Sequence, residues 1–541
     1  MFKLFSPTAA VFSFALFFPV IALVYEAFWV GASDADTTFR DLVDTVLLDY
    51  VINSILVTLG TVIFALLFAV GPAWWCARYH FSGRRIIQWA MVFPLAIPAY
   101  ISAYIYTDAL DYAGPVQTTL RQWFGWTSPQ DYWFFDIRSI IGASALLGLS
   151  LYPYLFLLLR FNFEHQSEHL AQAARLMGAS TKQIFFDIRL KLARPALAIG
   201  CTLIAMESIA DFGTVQLFAI STLTTAIYDS WLVYGSLTTA AKISCLLLLF
   251  IIALVSLERW QRRHQKQFES KSSQTIQRQQ PSKLAAWLIP IFCAVIILLG
   301  FIIPVIALTD YTLLYWSENL QTQFWQHAKN TFLLAFIAAS IATLVALYLN
   351  RQLRFFATPL NRIQQQLASL GYAIPGTVLA IAILIPLAGM DLWINDVWLA
   401  LGGEQLGLVL SGTSFALVLA FVIRFAAIAN GSIESGYQQM SPSLDLAGKS
   451  LGSSRNGIFY RIHLPILTPV TLSASLLVFI ECVKELPAAL LLRPFDFETL
   501  STFVYQYASD EQLEHVAAAS LLIIIVSLLP ILFISRTQKM S

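Results

Sequence analysis

Charged side chains are scarce in this sequence. Lys, Arg, Asp and Glu make up 12% of 541 residues against 58% hydrophobic, more apolar surface than a soluble core buries. The chain therefore reads as an integral membrane protein. Cysteine is scarcer still: Cys76, Cys201, Cys245, Cys293 and Cys482 fall in or beside apolar runs and show no CxxC spacing. That excludes a disulfide or cysteine-metal framework and leaves them as small hydrophobes. A phosphate-cradling loop is also missing. LAGKS (446 to 450) ends like one, but the earlier glycine of GxxxxGK[ST] would be position 443, which is Ser443. Neither a nucleophile with its base nor a metal-ligand spacing stands out, so the chain is not expected to be an enzyme. No nucleic-acid partner is expected either.

Long hydrophobic runs are what the sequence has instead. A helix needs about 20 apolar residues to cross a bilayer. Such runs lie near 8 to 30, 51 to 77, 86 to 107, 139 to 159, 196 to 218 and 237 to 257. Six more lie near 284 to 309, 330 to 350, 367 to 389, 406 to 428, 469 to 492 and 515 to 535. The expected fold class is all-α, a polytopic membrane protein with about twelve transmembrane helices. The first run follows Lys3 and precedes small residues at Gly31 to Ser33, but it is too long for a cleaved signal and reads as a span. With Lys3 inside, the inside segments hold 26 Lys and Arg against 7 acids, and the outside segments 6 against 21. This sorting predicts both termini in the cytoplasm. The acidic outer loops, 33 to 50 and the one carrying Asp108, Asp111, Asp131 and Asp136, form a face that could attract cations or a basic partner.

The sequence also repeats itself. Residues 171 to 195 (AQAARLMGASTKQIFFDIRLKLARP) return at an offset of 274 in 446 to 469 (LAGKSLGSSRNGIFYRIHLPILTP). Gly178 matches Gly452, Ser180 Ser454, Ile184 Ile458, Ile188 Ile462 and Pro195 Pro469. Earlier, Asn53 and Asn330 match at an offset of 277, as do Pro98 and Pro375. Arg78, Arg84 and Arg85 mark the first inside loop of one copy; Arg351, Arg354 and Arg362 mark that of the other. Both copies keep one membrane orientation, which predicts a parallel repeat about an axis along the membrane normal. The expected domains are a first half at 1–257, a Gln-, Ser- and Lys/Arg-rich cytoplasmic linker at 258–283, and a second half at 284–541.

Within each repeated segment a helix-favouring run ends at glycine and an apolar-polar pattern resumes before a proline, which predicts helix, turn, helix. One such pair could lie in the headgroups. Two at matched positions point to a docking partner. The segments, near 165–195 and 435–469, resemble the cytoplasmic EAA loop of bacterial ABC importer permeases. Gln172, Ala173 and Ala174 stand for E-A-A in the first copy, with Gly178 after them, and Lys191 replaces the motif's proline. Leu446, Ala447 and Gly448 stand there in the second, with Gly452 and Pro465. The acidic residue is missing from both. The resemblance implies a type I importer permease fold whose loops seat two copies of a separate cytoplasmic ATPase. It also implies ATP and Mg bound by that partner, no cofactor in this chain, a periplasmic substrate-binding protein, and a bacterial inner membrane.

Beyond each loop, acidic pairs fall inside apolar runs. Glu207 and Asp211 recur at the 274 offset as Glu481 and Glu485, and the i, i+4 spacing predicts one helix face for each pair. A charge at the bilayer centre costs about 2.5 to 3.5 kcal/mol. The acids are therefore expected to line the translocation pathway, to contact a metal cargo, or to hold backbone at a broken helix. Lys484, three residues after Glu481, could neutralise it. The segments 207 to 231 and 481 to 511 resemble those of fused, two-half permeases for ferric iron. The favoured expectation is import of Fe(III), with thiamine, phosphonate or another small solute as the alternative. A proton- or cation-coupled secondary transporter is the alternative of another class.

Overall fold

The computed structural model describes residues 7–30, 37–263, 278–368 and 371–537. Lys3, Ser33 to Asp36 and linker residues 264 to 277 lie outside the described residues. Every named element is helical, as a lipid-embedded chain requires if each segment is to satisfy its own backbone. The one β-bridge among the described residues joins Tyr79 to Gln279.

Among the described residues eight helices are long and apolar enough to span a bilayer, and two bent pairs raise the number to ten. The pairs are Arg84–Ala96 with Ala99–Phe124, bent by 90°, and Thr181–Leu192 with Arg194–Ile209, bent by 67°. At the other two of the twelve expected positions stand shorter apolar helices, Phe17–Phe28 and Leu513–Leu529. The ninth and tenth spans begin later than expected, at Gly376 and Ser414. Pro375 occupies the position just before the ninth helix, where its missing N–H breaks no helical hydrogen bond.

The chain forms two compact units, each drawing segments from both sides of the linker. One comprises Leu47–Thr222, Leu249–Trp316 and Tyr507–Ser541. At its centre α1 (Leu47–Arg78) packs on α2 (Ile140–His165). Ala65, Ala69, Ala73 and Ala77 repeat every four residues along α1 and are fully buried, the small-residue stripe by which membrane helices approach closely. Gly148 of α2 belongs to the same contact, since a Cβ there would lie 2.6 Å from Phe64 Cβ. The unit continues through α3 (His169–Leu176), α4 (Arg194–Ile209) and α5 (Gly213–Leu217).

The other unit comprises Met1–Val46, Leu223–Leu248 and Ser317–Gln506. Here α6 (Thr322–Phe355) packs on α7 (Ser414–Gln439), followed by α8 (Ser443–Ser450), α9 (Leu464–Lys484) and α10 (Pro487–Leu492). Buried Ala342 and Ala346 of α6 stand 277 positions after Ala65 and Ala69, so the repeat carries its packing stripe with it. Arg424, included above among the inside charges, is buried within α7.

Candidate functional site

Each repeated segment folds as helix, turn, helix. In the first, α3 ends in a Schellman turn: Gly178 N donates to Arg175 O (2.9 Å) and Ala179 N to Ala174 O (3.0 Å). In the second, Gly452 N donates to Lys449 O and Ser453 N to Gly448 O, each at 3.0 Å. The glycines have φ of 85° and 76°, a left-handed conformation that side chains bearing a Cβ resist. Ser180 and Ser454 then cap the following helices, accepting from Gln183 N and Gly457 N. Both following helices pass through a π-helical turn, Ile184–Arg189 and Phe459–His463. The copies differ beyond it. The first bends between Leu192 and Arg194, ahead of Pro195, whereas Arg455–Lys484 runs on as one 30-residue helix containing Pro465 and Pro469.

The E-A-A positions keep one pattern in both copies. Gln172 and Ala173 are exposed and Ala174 is buried; Leu446 and Ala447 are exposed and Gly448 is buried. Ala174 packs with Ala171 and Ile184. A Cβ on Gly448 would stand 2.8 Å from Ile458 Cγ1, so the second copy brings its two helices closer. At the turns the apolar side chains point away from the chain: Leu176 is 90% exposed, Met177 82% and Leu451 84%. Met177 and Leu451 are repeat equivalents.

Each segment carries an acid of its own near the start of its helix. Glu168, just before α3, accepts hydrogen bonds from Arg78 at the end of α1 and from Arg189 Nη2 (2.7 Å). Arg78 Nη2 also donates to Gln166 O (3.1 Å) and Arg189 Nη1 to Ser167 O (3.1 Å). In the second copy Asp445 takes that role. It accepts from Arg354 Nε (2.7 Å), while its other oxygen lies 2.6 Å from His463 Nε2. Burial pushes the Asp445 carboxyl up, but the hydrogen bonds and positive charge of His463 and Arg354 outweigh it and hold it below its ordinary value. Arg189 and His463 are repeat equivalents. Glu168 and Asp445 are not, and this shift in register hides the shared anchor from a column-by-column comparison of the copies.

The intramembrane acids depart from the one-face reading and follow the broken-helix one. Each pair was expected on one face of a continuous helix, but α4 ends at Ile209 and α9 at Lys484, so Asp211 and Glu485 lie in breaks. There they cap the short helices that follow. Asp211 accepts from Thr214 N (3.0 Å), Val215 N (3.1 Å) and Thr214 Oγ1 (3.0 Å); Glu485 accepts from Ala488 N (3.2 Å). Gly213 and Pro487 are the sequence signals for these breaks. Glu485 also lies 3.4 Å from Arg424 Nε, both side chains less than 10% exposed, and Glu481 accepts from Lys484 Nζ (2.9 Å). Among the described residues no group of three or more His, Cys, Asp or Glu could hold a metal ion. The loops beyond the breaks are pinned alike: Asn53 Nδ2 donates to Ser221 O (3.0 Å) and its repeat equivalent Asn330 to Glu498 O (3.3 Å).

Comparison with known proteins matches residues 69–268 to the family described as "Binding-protein-dependent transport system inner membrane component". The chain is 24% identical to the Fe(3+)-transport system permease protein FbpB 2 of Haemophilus influenzae, covering 96% of this chain and 95% of that protein. It is 23% identical to the ferric transport system permease protein FbpB of Actinobacillus pleuropneumoniae, over 96% and 76% respectively. The molybdenum transport system permease protein ModB of Escherichia coli is 29% identical over 31% of this chain and 70% of its own length. Permeases of this family work with an ATPase and a binding protein. With its helical spans and its likeness along nearly its whole length to ferric transport permeases, the chain is similar to the inner-membrane permeases of binding-protein-dependent ABC importers, a transport component and not an enzyme.

Proposed function

We propose that the chain moves Fe(III) from a periplasmic binding protein into the cytoplasm by alternating access. Two copies of a separate ATPase, which binds the ATP and Mg, sit on the two helix-turn-helix loops. Both termini lie in the cytoplasm, and the linker at 258–283 joins the two homologous halves, 1–257 and 284–541. The observation that carries the ATPase reading is the matched exposure of Met177 and Leu451 at the tips of two glycine turns. Burying such a side chain stabilises by about 1.5 to 3 kcal/mol. Iron as the cargo is supported by likeness over 96% of the chain to two proteins named as ferric transporters.

The loops can carry force because each is tied at two points. A pull on α3 reaches α1 through Glu168 and Arg78, and reaches the start of the next span through Glu168 and Arg189. From Arg194 to Ile209, α4 runs about 24 Å at 1.5 Å per residue, ending at the break capped by Asp211. We assign Glu207, Asp211, Glu481 and Glu485 to the translocation pathway. Asp211 and Glu485 hold the short helices after their breaks in place, and carboxylate oxygens suit a hard cation. Reconstitution with the ATPase and binding protein tests the reading. ATP-dependent uptake of ferric iron, above that of molybdate, thiamine or phosphonate, is the expected outcome. Preference for another solute would overturn the cargo, and uptake that ignores ATP and follows a proton gradient would overturn the mechanism.

A further inference from the structure

We propose that the end of the linker between the halves, Arg278 to Gln280, is a strap on the first ATPase-coupling loop, with Gln279 the positioning residue for Arg175. The proposal rests on the reading that α3 and its turn seat an ATPase.

Gln279 is the residue that forms the isolated bridge with Tyr79. Its N–H donates to Arg78 O (2.9 Å) and its carbonyl accepts from His80 N (3.0 Å). Its side-chain amide is satisfied when the oxygen faces the Arg175 guanidinium, where it accepts from both Nη atoms. Arg278 Nη2 lies 3.8 Å from Glu164 Oε1, a carboxylate already 3.5 Å from both Arg84 and Arg160. Two consecutive residues thus tie the linker to the end of α1, the end of α2 and the coupling helix itself.

Charge alone does not explain this placement. Arg278 is the third guanidinium on one carboxylate, so repulsion from Arg84 and Arg160 offsets much of what Glu164 offers, and ion pairs of this length contribute little. The backbone pairing and the Gln279 amide are what specify the position. Arg175 is the residue before Leu176 and Met177, the exposed side chains at the tip, so fixing its guanidinium fixes the last turn of α3. Arg78 is shared as well: its carbonyl accepts from the strap and its guanidinium holds Glu168. A segment that only joined two halves would need none of these contacts. The bridge has no second example among the described residues, so the two coupling loops, each with its carboxylate anchor, are built unequally, the first carrying the strap as well.

The test uses the full chain with its ATPase subunits in proteoliposomes, and reads ATPase-subunit affinity and basal ATP turnover, which do not depend on the cargo. Gln279→Ala removes the acceptor, Gln279→Pro also removes the N–H donor, and Gln279→Glu keeps an acceptor for Arg175. We expect Gln279→Ala to weaken subunit affinity about tenfold, the scale of a hydrogen bond to a charged group. Gln279→Pro should weaken it further, and Gln279→Glu should restore it. Hydrogen exchange of the Ala171 to Leu176 amides in the isolated chain, expected to quicken in the first two variants alone, gives a readout that needs no ATPase. Wild-type affinity and exchange in Gln279→Ala and Gln279→Pro, or equal damage in Gln279→Glu, would overturn the strap. Met177→Asp separates the two readings. If it leaves ATPase binding intact the docking reading fails, whereas the exchange result still judges the strap.

Discussion

Removing the Glu168 carboxylate should unseat the first coupling loop without dismantling the spans. In Glu168→Ala the Arg78 and Arg189 guanidiniums, 5% and 2% exposed, lose the acid between them and keep the Gln166 and Ser167 carbonyls, with the Trp74 ring 5.9 Å from each. Breaking a buried ion pair by deleting one partner costs about 3 to 5 kcal/mol, because a charge is left uncompensated. Glu168 itself is 23% exposed, so water reaches the vacated space and the lower end applies. About 3 kcal/mol is a shift of more than a hundredfold in the population of the seated loop, at tenfold per 1.4 kcal/mol. The assay is hydrogen exchange across α3 together with ATPase-subunit affinity. Exchange should quicken and affinity should fall in Glu168→Ala, and the double variant Glu168→Gln with Arg189→Met should recover part of the loss by removing one buried charge. Wild-type exchange and affinity in Glu168→Ala would refute the claim that this carboxylate anchors the loop.

Gly178→Val and Gly452→Val should each impair coupling by backbone strain of about 1 to 2 kcal/mol. Apart from the adjoining residues, no described atom lies within 4 Å of a Cβ at either position, so a correctly inserted variant with normal ATP-driven uptake would remove the turn from the coupling role. Gly376→Ala should lower the melting temperature of the purified chain, since its Cβ would run into the Glu485 carboxylate and lie 2.9 Å from Arg424 Nη1; an unchanged melt counts against a rigid ion pair there. Asp445 sets a pH window. Its carboxyl is held below the ordinary value of about 3.9, so its contribution is complete above that value and is lost as pH falls through the lower folded one. Exchange protection across α8 should therefore hold at neutral pH and drop only below about pH 4, and Asp445→Asn should abolish that acid step.

The spans and the helix-turn-helix pairs were legible because both rest on local rules. Apolar runs of bilayer length become helices, and Gly178 and Gly452 end theirs as a left-handed turn requires. The breaks at Asp211 and Glu485 were less so. Charge spacing was read as helical, yet these side chains cap the next helix and so compete with the backbone ladder; Gly213 and Pro487 were the cues. Arg424 was hidden by its neighbours in a long apolar helix, and only α7's packing brings it to Glu485. The Gln279 bridge was illegible in principle, since a single pair between distant segments leaves no periodic trace.

The two anchors extend the repeat beyond sequence identity. Glu168 with Arg78 and Arg189, and Asp445 with Arg354 and His463, share a layout in which one carboxylate joins the end of a long span to the helix after the turn. Their chemistry is not shared. Both bases in the first are arginines, whereas one in the second is a histidine with 0% side-chain exposure, ringed by Phe355, Tyr437 and Phe459. If duplication had to preserve the residues, the acid would sit in one register in both copies, and it does not. What both copies keep is the connection between turn and spans, which is the property a motor subunit seated on each loop would act through.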